Sequence, residues 1–202
     1  MRKAALNPKA KEVLLSVAQT LMLTKGYEAT SVDEICQKAK LTKGSFFHYF
    51  KSKEDLAKTL LERFCCSSFT AMENCCQECT ANDPLARVYA HIDFAIQRVK
   101  GSMADQGCLL GVLAQEMSET HPEIRSLCQK GFEEWAKIFK KDLIAAKTKY
   151  APRADFAVES LAEYFIAVIE GSLILAKVKR DKKVIQRNLV HFRDYIKSLL
   201  KR

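Results

Sequence analysis

Apolar residues recur at helical spacing along nearly the whole chain. Leu14, Val17, Ala18 and Leu21 form one stripe, which predicts a first helix from about Pro8 to Lys25. Gly26 is placed to end it. Ser31 and Glu34 make an S-x-x-E capping pair, so a second, short helix starts there with Ile35 and Ala39 inward. Thr42 caps a third helix through Tyr49. Ser52 with Asp55 opens a longer fourth; Asp is a near miss to the usual box residue, but its charge suits a helix start. Further along, Asp83-Pro84 opens a helix to about Lys100, and 101–107 reads as a loop. Later helices are expected over Cys108 to Met117, from HPEI at 121–124 to about Tyr150, over Arg153 to Lys179, and over Lys182 to Leu200. In the last, Ile185, Leu189, Phe192, Ile196 and Leu199 step by 4, 3, 4, 3, an a/d seam made to pack on other helices.

About nine helices in 202 residues predict an all-α protein with enough chain for a proper core. Seven glycines and four prolines suit that reading and argue against an all-β fold. No apolar run reaches the ~18 residues of a membrane span. The N-terminal segment lacks an uninterrupted apolar stretch, so no signal peptide is expected and the location is expected to be cytoplasmic. The eight cysteines are then expected to be reduced.

The net charge of +9 is unevenly placed. Residues 1–63 carry 12 basic and 7 acidic side chains, residues 64–176 carry 11 and 15, and residues 177–202 carry 10 and 2. A basic N-terminal part beside a mildly acidic middle points to a polyanionic partner for the former. The basic C-terminus reads as a solvated helix face.

The segment LTKGSFFHYF, residues 41–50, concentrates aromatic, basic and small residues. A helix–turn–helix unit needs a second helix that shows small, polar or basic groups to a major groove while its other face holds the core. Lys43, Gly44, Ser45 and His48 fall on one side, and Phe46, Phe47 and Phe50 supply apolar bulk for the other. Gly44 costs ~1 kcal/mol of helix propensity, which close approach to DNA would justify. Tyr49 offers a hydroxyl to a phosphate, and Lys53 adds a charge at the next helix start.

The run TSVDEICQKAKLTKGSFFHYFKSKEDL closely resembles the DNA-binding domain of the tetracycline-repressor (TetR) family of transcriptional regulators, over about residues 9–60. The T-S pair, A-x-x-T-K-G-S, the aromatic cluster and F-K-S-K-x-x-L stand at family spacing. The later helices fit the family's ligand-binding and dimerisation domain in layout. The resemblance implies a DNA-binding head over 1–60 and a ligand-binding and dimerisation bundle over 61–202. It also implies a homodimer, here through about residues 153–200, binding a palindromic double-stranded operator and released by a small-molecule inducer. Carried over by position, Thr30, Ser31, Thr42, Lys43, Gly44, Ser45, His48, Tyr49 and Lys53 are the expected DNA contacts. Phe47 stands where the family usually has tyrosine, and Lys40 replaces its usual turn glycine. A left-handed lysine would be strained, so either the turn differs or the charge gains a phosphate.

Candidate pocket residues on the middle helices are Phe94, Met103, Cys108, Leu109, Met117, Trp135, Phe139, Tyr164 and Phe165, although an aromatic or Met at helical spacing is more often core. Cys108 follows Gly107 at a helix start, where the dipole lowers a thiol pKa, so it is also a candidate sensor of electrophiles or oxidants. Cys75, Cys76 and Cys79 could share a helix face, but nothing at known spacing completes a metal site. A di-metal enzyme built on Glu116, Glu119, Glu163, Glu170, His91 and His121 is the rival from another class. The E-x-x-H spacing of such bundles is absent, so neither catalysis nor a cofactor is expected.

Overall fold

The computed structural model describes residues 8–79, 83–98 and 107–200. Among them the regular structure is helical: α1 (Pro8–Lys25), α2 (Val32–Ala39), α3 (Lys43–Tyr49), α4 (Lys53–Cys79), α5 (Pro84–Arg98), α6 (Leu109–Met117), α7 (Pro122–Tyr150), α8 (Val158–Lys179) and α9 (Lys183–Leu199). Met103 and the side chains of Cys75, Cys76 and Cys79 lie outside the described residues.

The capping chemistry read from the sequence is what starts the short helices. Ser31 Oγ accepts the Glu34 N–H at 3.2 Å, and Thr42 Oγ1 accepts the Ser45 N–H at 3.1 Å. At α4 the Asp55 N–H donates to Ser52 Oγ at 3.1 Å, and the Asp55 carboxylate reaches back past the cap to accept the Lys51 N–H at 2.9 Å. At α2 only the forward half forms, because the Glu34 carboxylate pairs with Lys25 and Lys38 instead. Its hydrogen bond from Lys25 holds that carboxyl below its usual pKa.

α8 begins at Val158, five residues later than the sequence suggests. Lys147 Nζ donates to the Phe156 carbonyl at 2.7 Å and lies 4.5 Å from the centre of its ring. That anchor engages the carbonyl a helix begun at Arg153 would use, and α8 starts without a side-chain cap.

The chain divides into two compact units. One comprises residues 1–64 together with 109–128; the other comprises 65–108 and 129–202. The expected division at residue 60 lies near the first boundary, and compactness also gives α6 and the start of α7 to the N-terminal unit.

In the N-terminal unit α1 packs against α2, α3 and α6. Leu14, Ala18, Met22, Ile35, Phe46 and Phe50 are buried there, as are Leu109, Leu113 and Met117 of α6. Gly26 holds φ at +92°. Just after it, the Glu28 N–H donates to Glu116 Oε2 of α6 at 3.0 Å, and Tyr27 meets the His121 ring edge-on.

In the C-terminal unit α8 and α9 pack along each other, and α9 also packs on α5. The a/d seam of α9 turns inward: Ile185, Leu189, Phe192 and Ile196 are buried and Leu199 packs partly buried against the same core. Phe139, Phe165 and Phe192 stack at its centre, with Phe139 and Phe165 centroids 4.2 Å apart. Beside them Arg87 Nε and His91 Nε2 donate to the two oxygens of Asp142, at 2.6 and 3.0 Å.

Two lysine- or arginine-bearing helix ends are left-handed: Lys40 after α2 (φ 54°) and Arg180 after α8 (φ 51°). Lys40 thus keeps the turn that glycine would fill, with its own N–H and that of Leu41 satisfying the end of α2. A left-handed L-residue costs ~1–2 kcal/mol, partly offset by the entropy glycine loses on folding. Lys40→Gly is therefore expected to stabilise the protein by about 1 kcal/mol in denaturant unfolding. An unchanged or lowered midpoint would contradict the strain.

Candidate nucleic-acid interface

α3 turns Phe46 inward, and with it Phe50 at its C-terminal cap, while positions 44 and 48 fall opposite and 43 and 47 on the flank. Phe46 and Phe50 are buried, with centroids 5.6 Å apart. Lys43, Gly44, Phe47 and His48 are exposed. This corrects one expectation: Phe47 is not core but 55% exposed. Position 47 lies on the flank of the Phe46 and Phe50 face, which spacing alone does not assign to core or surface.

The exposed face of α3 is continuous in sequence with capping hydroxyls at Ser31 and Thr42, both exposed, while Ser45 and Tyr49 are half-buried. Lys43 Nζ stands 2.7 Å from Asp33 Oδ1 of α2. Both side chains are well exposed, 61% and 66%, so the pair contributes ~1 kcal/mol at most and a phosphate can displace Asp33. Gly44 is not demanded by the fold: an added Cβ would meet only Thr42 Oγ1, at an ordinary 3.6 Å.

Two residues of the expected contact set are engaged within the fold. Thr30 is fully buried and its hydroxyl donates to the Gly26 carbonyl at 2.7 Å, so it holds the α1–α2 turn. Lys53 Nζ donates to the Tyr27 carbonyl at 2.9 Å and sits 3.9 Å from the centre of that ring. Its ammonium is committed to the fold, a partner too remote in sequence to be read there. Burial and the neighbouring Glu28 and Glu54 charges push the Tyr27 phenol up to about 12, so it stays neutral under that ammonium.

The described effector candidates fall in both units. Leu109 and Met117 are core of the N-terminal unit. Phe139 and Phe165 belong to the central stack of the other unit. Tyr164 is half exposed on a surface groove between α8 and α9 that also takes in Gly171, Leu175 and Tyr195. Phe94 is half-buried beneath the Arg98 guanidinium, and Trp135 is half-buried with its indole N–H unpartnered. A second groove, of about 870 Å³, runs between α7 and α8 past Phe132, Ala136, Lys140 and Ile166. The sequence did not pair Cys108 with Glu170, yet the thiol hydrogen-bonds that carboxyl. Burial pushes the Glu170 carboxyl up, and the Cys108 bond opposes it only in part. The Glu170 Oε1 atom is buried without a hydrogen-bond partner.

The residues of the di-metal rival are split: Glu116, Glu119 and His121 fall in one unit, His91, Glu163 and Glu170 in the other. Among the described residues no group of three His, Cys, Asp or Glu side chains could hold a metal ion. Nor is any described helix long and apolar enough to cross a membrane.

Known proteins bear on this arrangement. Residues 14–60 match the family described as bacterial regulatory proteins, tetR family. Residues 84–188 match the C-terminal domain of LmrA/YxaF-like transcriptional regulators. The HTH-type transcriptional repressor DhaR of Mycobacterium sp. (strain GP1) is 27% identical over 176 residues, covering 87% of this chain and 86% of its own. The repressor NemR of Escherichia coli (strain K12) is 25% identical over 188 residues, covering 92% and 93%. The crystal structure of a regulatory protein TetR from Rhodobacter sphaeroides superposes with a TM-score of 0.79 at 26% identity, covering 92% of this chain and 97% of that one. With its capped, two-faced α3 in the matched N-terminal segment and a matched C-terminal helical domain, this chain belongs to the TetR family of DNA-binding transcriptional regulators.

Proposed function

We propose that the protein is a repressor whose two copies lay α3 into successive major grooves of a palindromic operator, and that a small molecule taken up by the C-terminal unit releases it. The exposed face of α3 carries this reading: Lys43, Gly44 and His48 stand outward above Phe46 and Phe50. Lys43 and the Ser31, Thr42 and Tyr49 hydroxyls contact phosphates and fix register, while Gly44 lets the backbone come close. Ser45 and His48 face base edges. Thr30 and Lys53, proposed from motif position alone, act indirectly by holding the turn and the start of α4.

The exposed apolar side chains of α8 and α9 supply the dimer surface. Ile174, Leu175 and Tyr195 are exposed there, and Val178 is 78% exposed. A twofold mate covering them would make a four-helix interface. Such a pair sets the spacing of the two heads, which must be ~34–36 Å, one duplex turn. A ligand that favours another spacing shifts the population off DNA.

Sequences selected from a random duplex pool define the operator. On it, Lys43→Ala is expected to weaken binding about tenfold per half-site, as loss of a charge-assisted bond would, and to lower the salt slope by ~1 per half-site. Unchanged affinity and slope would take Lys43 out of the interface. Preference over random duplex below ~10³-fold would favour a sequence-neutral architectural protein.

The Cys108–Glu170 contact favours a second reading, in which the releasing molecule is an electrophile or oxidant that modifies the thiol. Modification removes the donor from a carboxyl whose other oxygen already lacks one. Cys108→Ser is then expected to abolish release by a thiol-directed electrophile, measured by fluorescence anisotropy of labelled operator. Release equal to that of the parent would end this reading.

A further inference from the structure

Phe47 is the large apolar side chain left on the exposed side of α3. The Phe46 ring, buried beneath it, meets it edge-on with centroids 5.2 Å apart and planes at 81°. Lys43 and Gly44, one turn back, share its side of the helix. Gly44 has no Cβ to stand between that ring and an approaching duplex, and the fold gives no reason for the glycine itself. A rigid phenyl ring held outward between a lysine and a histidine does nothing for the core. Without a hydroxyl it can neither donate to a phosphate nor accept from a base.

In the major groove the base edges offer donors, acceptors and one apolar group, the C5-methyl of thymine. We propose that Phe47 is a specificity-determining residue that packs on a thymine C5-methyl in each half-site, which rests on α3 being the groove-reading helix. Polar neighbours then set orientation, and Phe47 discriminates thymine from cytosine at its position by the methyl group.

The test uses the full chain and its selected operator, with each thymine replaced in turn by deoxyuridine, which removes the methyl and keeps the base pair. For the parent protein one symmetry-related pair of positions is expected to matter. Loss of one methyl contact weakens binding about fourfold, and of both about fifteenfold, as burial of one methyl-sized group implies. Phe47→Ala is expected to bind thymine and deoxyuridine operators equally, and its thermal midpoint should match the parent because the ring is exposed. Phe47→Tyr keeps the ring and should keep the methyl preference. 5-Methylcytosine at the sensitive position should recover part of the affinity lost on placing cytosine there. A selected operator indifferent to every deoxyuridine substitution overturns the assignment, as does an equal methyl preference in parent and Phe47→Ala. A chain that selects no duplex overturns the groove-reading role of α3 as well.

Discussion

Asp142→Ala is expected to destabilise the C-terminal unit by about 3 kcal/mol, within the range for removing one partner of a buried ion pair. The carboxylate is the acceptor for two side chains at once, Arg87 at 2.6 Å and His91 at 3.0 Å. His91 is almost wholly buried, with its ring edge-on to Phe139, and cannot turn to water. Truncation leaves its N–H unmatched and the guanidinium without a counter-charge. For a chain of this size the loss corresponds to a fall of ~6–12 °C in midpoint by circular dichroism. Replacing both partners, as in Asp142→Leu with His91→Phe, should recover part of it, because no buried polar group is then stranded. The pH dependence has a definite sign. Burial raises the Asp142 carboxyl, but the bonds from His91 and Arg87 outweigh it and hold the pKa below the ordinary 3.8. A depressed folded pKa contributes stability above the unfolded value and loses it as pH falls through the folded one. The gap between parent and Asp142→Ala should therefore be flat from neutrality to about pH 4 and narrow below it. A gap that widened on acidification would contradict the arrangement.

Gly26→Ala is expected to cost about 3 kcal/mol, with two separable sources. At φ +92° an L-residue is strained by ~1–2 kcal/mol. An alanine Cβ would also fall on Glu116 Oε1, so the carboxylate must shift, at the expense of the bond it accepts from the Glu28 N–H at 3.0 Å. A lost bond of that kind is worth ~1–3 kcal/mol. A cycle with Glu116→Ala separates them by denaturant unfolding. In the Glu116→Ala background the glycine substitution should cost the backbone strain alone. Equal costs in both backgrounds would show that Glu116 does not occupy the space beside Gly26.

Local signals carried most of the fold. Ser31, Thr42 and Ser52 cap the helices they were expected to cap, and the seam of α9 packs as its spacing implies. These features depend on residues within a few positions of each other. What was not legible depends on partners far apart in sequence. Nothing near Lys53 announces Tyr27, and nothing near Cys108 announces Glu170. The late start of α8 follows from Lys147, nine residues before the carbonyl it binds. The pocket candidates were not decidable for a different reason: Phe139, Phe165, Leu109 and Met117 have helical spacing and bulk, which core and ligand wall require equally, and all four are buried. Phe47 was misplaced among the buried aromatics because its flank position is open to either side by spacing alone.

The N-terminal unit is not one uninterrupted stretch of chain, since Leu109–Cys128 completes it. A fragment ending after α3 or within α4 would expose the surface of α1 that α6 covers and lose the acceptor for the Glu28 N–H. Chimeras that exchange operator specificity between relatives should therefore transplant both stretches together, with Glu116 and Gly26 from the same parent. A graft of the first 60 residues alone would join mismatched halves of a single core.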